Sequence, residues 1–216
     1  MPRLVVFDLD GTITRRDTLV PYVVGLLAER PRQLARLLRI VPPLLAFLCG
    51  RIGLADLKGR AIAGTLGGTA RADIERRTRR FVPSVLARMS RRDALAAIER
   101  HRRAGDRLVL LSASPDLYVH EIGAALNFDE TICTAVRWDG ESLQGGLAGP
   151  NCRGAEKTRR IAALRERFPE RAVVAYANSA GDLDHLRAVE TPLLVCGSWL
   201  TRRRAARLGI PTACWR

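Results

Sequence analysis

Four short apolar runs, Leu4–Asp8, Arg107–Leu111, Ala172–Ala177 and Pro192–Cys196, recur along the chain with helical stretches between them. Each is five or six residues long and rich in Val, Leu or Ala. Continuous apolar runs of this length, without polar alternation, mark strands buried on both faces. Strands of that kind need helices above and below them, because each face must be kept from water.

The expected fold is therefore α/β, a Rossmann-like three-layer core with a mostly parallel sheet. The alternation is interrupted once. From about residue 15 to 83 the pattern is helical throughout, with helices expected over Leu19–Glu29, 32–49, 54–63 and 70–82 and a break at Pro83. This block reads as an all-helical cap inserted after the first strand. The division is then 1–14 and 84–216 for the core and 15–83 for the cap. Ser90 and Asp93 form a capping-box pattern, with Gly105 as the stop of that helix. Ser114-Pro115 reads as the N-cap and first residue of another helix. Thr131–Trp138 and Ser142–Leu147, separated by Asp139-Gly140, suggest a hairpin.

Charge and cysteine content narrow the setting. Lys and Arg number 36 against 22 Asp and Glu, a net charge of +14. The cap holds 13 arginines and Lys58 against Asp17, Glu29, Asp56, Asp73 and Glu75, a surplus of nine positive charges. Such an excess attracts anions without choosing among nucleic acid, anionic lipid and phosphorylated metabolites. Aromatic residues are only 5% of the chain, which argues against base stacking. Five scattered cysteines without a C-x-x-C pair suit a reducing compartment and no structural zinc. The most apolar stretch, Ile40–Gly50, contains Pro42-Pro43 and is too short to span a bilayer. A cytoplasmic protein is expected, with peripheral contact at the inner face of an anionic membrane as the alternative.

In open parallel sheets, ligands bind beyond the carboxyl ends of the strands. There the sequence places Asp8 and Asp10, then Ser112, then Asn178 and Asp182. Carboxylates at i and i+2 on extended chain point the same way, and two such charges repel unless a cation or shared proton intervenes. All-oxygen ligands suit Mg²⁺. Gly11 lets backbone approach a ligand closely. The plainer reading of Asp8-Leu9-Asp10-Gly11 is a solvated turn. Lys157 stands near the start of a helix, where the macrodipole disfavours a cation. An anion opposite it would explain that placement, and an exposed surface lysine is the alternative.

Taken together, these segments resemble the four motifs of the haloacid dehalogenase (HAD) superfamily of phosphohydrolases. Phe7-Asp8-Leu9-Asp10-Gly11-Thr12 is similar to the first and Leu110-Leu111-Ser112-Ala113-Ser114 to the second. Asn151-Cys152-Arg153-Gly154-Ala155-Glu156-Lys157 resembles the third, in the form seen in the phosphoserine phosphatase subfamily. Tyr176-Ala177-Asn178-Ser179-Ala180-Gly181-Asp182 resembles the fourth, with an amide where many members carry a carboxylate. The resemblance implies a Mg²⁺-dependent phosphomonoesterase. It implies that Asp8 is the nucleophile that forms an aspartyl-phosphate and that Asp10 is the general acid and base. Ser112, Ala113, Gly11 and Thr12 would bind phosphate, and Lys157 would neutralise charge. Asp8, Asp10, Asn178 and Asp182 would serve the metal.

The expected partner is a phosphorylated small molecule. Asp17, nine residues after Asp8, occupies the position of a substrate-amine contact in phosphoserine phosphatases. As an N-cap for the following helix it has an ordinary structural reading, which is preferred. The Arg-flanked apolar segment 32–54 has the character of a membrane-interface element, and the helical block with the Cys152-x-Gly154-x-x-Lys157 motif resembles those of phosphatidylglycerophosphate phosphatases, which implies a lipid phosphate as the alternative substrate. The other reading of that segment is the cap's own core. A basic nucleic-acid-binding protein on a decayed phosphatase fold is the third possibility, but no nucleic-acid partner is expected.

Overall fold

The computed structural model describes residues 1–29 and 31–216. In chain order the strands are β1 (Leu4–Phe7), β2 (Arg107–Pro115), β3 (Glu130–Thr134), β4 (Val136–Asp139), β5 (Ser142–Leu147), β6 (Val173–Ala177), β7 (Thr191–Val195) and β8 (Thr212–Ala213). Six of them form one sheet in the order β3-β2-β1-β6-β7-β8, with every adjacent pair parallel. β1 lies at its centre, with Phe7 in register with Leu110 on one side and Tyr176 on the other.

The period-two geometry of the strands sorts their side chains into two cores. Val5, Phe7, Leu108, Leu110, Val174 and Tyr176 face one layer. Leu4, Val6, Val109, Leu111, Val173 and Ala175 face the other, against α7 (Ala155–Arg167) and α8 (Leu183–Arg187). The α/β expectation holds.

The helical block contains α1 (Leu19–Ala28), a 3₁₀ segment (Pro31–Ile40), α2 (Val41–Leu48), α3 (Leu54–Leu66) and α4 (Arg71–Arg88). The single helix expected over 32–49 is two pieces, because Pro42 and Pro43 lack the N–H groups that would carry the first into the second. Pro83 does not end its helix. It lies inside α4 on the exposed side, where the carbonyl it leaves unpaired meets water, while Phe81, Val82 and Val85 are buried. The outgoing and returning segments meet at a bridge between Thr14 and Ser90. Ser90 is therefore not a helix cap. Arg91 occupies that position before α5 (Arg92–Arg103), with no side-chain cap bond.

Two further expectations change. Residues 131–134 belong to β3 of the main sheet, so the hairpin is only β4 with β5. That hairpin supports α3: Gly145, at φ +78°, lies so close that a Cβ would come within 2.3 Å of Ala63 Cα. Ser114 is part of β2, and Pro115 is the N-cap of α6 (Asp116–Ala125). The remaining helix, α9 (Trp199–Arg207), follows β7 and is capped by Ser198. The block and the core are continuous: Tyr22 stacks near Tyr118, its hydroxyl meets Thr78, and Thr78 donates to the Leu117 carbonyl.

Candidate active site

Asp8 follows β1, and its backbone N–H donates to the Tyr176 carbonyl, so the sheet ladder itself holds the residue. Its side chain receives the Lys157 ammonium at 2.6 Å and the Thr12 hydroxyl at 3.1 Å. Lys157 comes from the first turn of α7, is almost wholly buried, and also donates to Asp182 at 2.9 Å. Ser179 bonds the other Asp182 oxygen through both its hydroxyl and its backbone N–H. Its two carboxylate partners explain the odd sequence position of Lys157, because they oppose the unfavourable dipole.

Asp10 has different surroundings. One oxygen accepts from the backbone N–H and hydroxyl of Thr18, at 2.8 and 2.7 Å. The other accepts from the Ser114 hydroxyl. Gly11, at φ +82°, makes the turn directly after Asp10, and a Cβ there would overlap the Asn178 amide. Asn178 thus packs on this turn.

Both carboxyls take up a proton more readily than a free aspartate. Burial pushes Asp8 up to about 6; Lys157 pulls it back, while Asp182 and Asp10 push it higher. Burial also raises Asp10, against the hydrogen bonds from Ser114 and Thr18. Burial acts upward on Asp182 too, but there the Lys157 ammonium, His185 and the Ser179 hydroxyl together outweigh it and hold the carboxyl low. Lys157 remains charged because Asp8 and Asp182 overcome its own desolvation.

These groups open onto a cavity of about 440 Å³ between the block and the core, lined by Asp8, Asp10, Gly11, Asp17, Ala113, Lys157, Asn178 and Asp182. Ser112 and Thr12 are fully buried behind its wall. The Ser112 hydroxyl accepts from the Ser114 N–H at 3.0 Å. Asp17 caps α1, accepting from the N–H groups of Leu19 and Val20, while also facing the cavity.

Sequence reasoning missed Lys58. From α3 its ammonium reaches across the cavity to the Ala113 carbonyl at 2.7 Å and Asn151 Oδ1 at 2.9 Å. Its rarity was the available signal, since Lys58 and Lys157 are the only lysines in the chain. Ser114 was misread as a cap because Ser before Pro is a common helix start.

Asp8 and Asp182 share the single Lys157 ammonium. Among the described residues, no three His, Cys, Asp or Glu side chains converge on a metal-holding point. Asp8, the Asn178 amide and the Asp10 backbone carbonyl are nevertheless hard oxygen donors, and Mg²⁺ accepts one carboxylate completed by waters and substrate phosphate. The donor set fits that ion. Asp182 has both oxygens engaged by Lys157 and Ser179, so it acts first on the lysine.

Residues 5–187 match the haloacid dehalogenase-like hydrolase family. The chain belongs to this family. As a haloacid dehalogenase-like hydrolase it is 36% identical over 188 residues to protein CicA of Caulobacter vibrioides, covering 86% of this chain and 82% of that protein. A Bordetella pertussis Tohama I protein of unknown function has the same fold at 20% identity and TM-score 0.83, with 98% of each chain covered. A substrate-bound phosphoserine phosphatase superposes with TM-score 0.68 at 13% identity, covering 94% of this hydrolase and 90% of that enzyme. No helix among its described residues is long and apolar enough to cross a membrane.

Proposed function

We propose that this hydrolase is a Mg²⁺-dependent phosphomonoesterase that works through an aspartyl-phosphate on Asp8 and acts on a phosphorylated small molecule held between block and core. The observation that carries the reading is the division of labour between two carboxyls two residues apart. Asp8 is clamped by the Lys157 ammonium, whereas Asp10 is held by two hydroxyls and a backbone N–H. Neighbouring carboxyls in unlike environments supply a nucleophile and an acid.

In the first step an Asp8 oxygen attacks phosphorus, the phosphorus–ester oxygen bond breaks, and Asp10 gives its proton to the departing alcohol. In the second, Asp10 takes a proton from water. The water oxygen attacks phosphorus, the bond to Asp8 breaks, and inorganic phosphate leaves with the Asp8 carboxylate restored. Lys157 neutralises Asp8 and the incoming phosphate, and backbone at Gly11 and Ala113 borders the phosphate position. Bound Mg²⁺ would add charge neutralisation on the transferring phosphoryl group, held by Asp8, Asn178 and the Asp10 carbonyl.

The test is phosphate release from a panel of soluble monoesters with and without Mg²⁺, followed by acid quench with a radiolabelled ester. Label retained on the protein and lost in Asp8→Asn supports the reading. No release from any ester sinks it.

A further inference from the structure

The catalytic cavity does not stop at polar groups. Leu19, Leu54 and Lys58 line both it and a second cavity of about 270 Å³ formed by α1, the 3₁₀ segment, α2 and α3. Apart from Lys58 and Thr65, every residue lining this second space is apolar. Lys58 marks the seam. Its ammonium points to Ala113 and Asn151, while its methylene stem joins the apolar wall. A molecule with phosphate at Asp8 therefore has an apolar cavity adjoining its site.

The outside of α2 is also apolar. All eight residues of α2 are apolar, yet only Pro43 is buried. Leu38, Leu45 and Leu48 are 71, 56 and 69% exposed. A helix apolar on all sides belongs in a core or against a partner, and an exposed apolar patch of this kind marks an interaction site. The charge around it selects the partner. Residues 30–53 contain five arginines and no carboxylate, and Arg32, Arg39 and Arg51 are exposed. Exposed apolar side chains on a segment whose only charges are cationic complement an anionic bilayer, where leucines enter the acyl boundary and arginines meet phosphates. A protein surface offers no such uniform requirement.

We propose that the cap seats on an anionic phospholipid bilayer through Leu38, Leu45 and Leu48, and that its inner cleft takes the hydrocarbon chain of a lipid-like phosphate monoester whose phosphate reaches Asp8. This rests on the phosphatase reading above. It makes the contacts around Lys58 a selector: polar headgroup on one side of the ammonium, chain on the other.

Two experiments test it. The first is co-sedimentation of the full chain with phosphatidylcholine vesicles, with and without phosphatidylglycerol. The protein is expected to pellet with the anionic vesicles, less at high salt, and the triple variant Leu38→Glu, Leu45→Glu, Leu48→Glu is expected to bind about tenfold more weakly. A thermal melt matching wild type shows that the variant is folded. The second needs no variant: kcat/KM for n-alkyl phosphates of rising chain length, below their micelle concentrations. Burying each methylene predicts a two- to fourfold rise, about, until the cleft is full. Ala61→Phe, which fills the cleft, is expected to flatten that rise.

A flat chain-length profile with no vesicle binding overturns the inference and leaves the phosphatase reading standing. A rising profile without vesicle binding overturns the bilayer as the source of the substrate. Vesicle binding with no release from any ester supports the docking surface and overturns the phosphatase reading instead.

Discussion

The Lys157 ammonium lies 2.6 Å from Asp8 and 2.9 Å from Asp182, so one buried cation joins the end of β1 to the turn after β6. A planar guanidinium cannot replace a compact ammonium in that space. Lys157→Arg is expected to lower kcat by about a hundredfold. Lys157→Met leaves two buried carboxyls without their counter-charge and is expected to cost about 3 kcal/mol, read by urea unfolding near neutral pH.

Asp10 and Ser114 share a hydrogen bond across the mouth of the site. If Asp10 protonates the leaving oxygen, Asp10→Asn should slow an alkyl phosphate by about a hundredfold or more. A nitrophenyl ester, whose leaving group needs no proton, should lose much less. Equal losses on both esters would remove the acid role. Ser114→Ala is expected to act in the same direction, more weakly.

The amide at Asn178 supplies one charge fewer than a carboxylate. Asn178→Asp is expected to lower the Mg²⁺ concentration that half-saturates activity, and a chelator is expected to abolish turnover in both proteins. An unchanged metal titration would show that residue 178 does not serve the ion.

His185 is buried with its Nδ1 unpartnered, 3.8 Å from Asp182. Burial lowers its pKa to about 4. The unfolded chain therefore binds a proton that the folded chain refuses between pH 6.5 and 4, and this group's share of stability is lost as pH falls through that window. His185→Leu should remove the loss, on the order of 3 kcal/mol at the acid end. The measurement is denaturant unfolding of both proteins at pH 7 and pH 4.5; parallel curves would overturn it.

Asp17 caps α1 through two backbone N–H groups. Asp17→Ala is expected to cost about 1 kcal/mol of stability. If capping is its whole contribution, KM for any accepted ester stays the same, and a raised KM would make it a substrate contact.

How legible was this protein? Asp8, Asp10, Asn178 and Lys157 could be placed from the chain alone, because strand ends in a parallel sheet converge and the motif order is specific. The apolar runs named the central strands for the same local reason: period and length need no partner. Two-residue β8 was invisible, since so short a strand has no pattern of its own and exists only by pairing with β7.

Tertiary packing decided the rest. Ser before Pro reads as a helix start, yet Ser114 stays in β2, where its hydroxyl meets Asp10 from a segment a hundred residues earlier. Pro83 reads as a stop, yet burial of Phe81, Val82 and Val85 carries α4 through it. Lys58 has no local motif at all, and its place depends on how α3 lies over the sheet. Local rules determine which residues favour a strand, turn or cap. Only the assembled chain decides which distant groups a side chain meets, because contact energy depends on positions that sequence spacing does not contain.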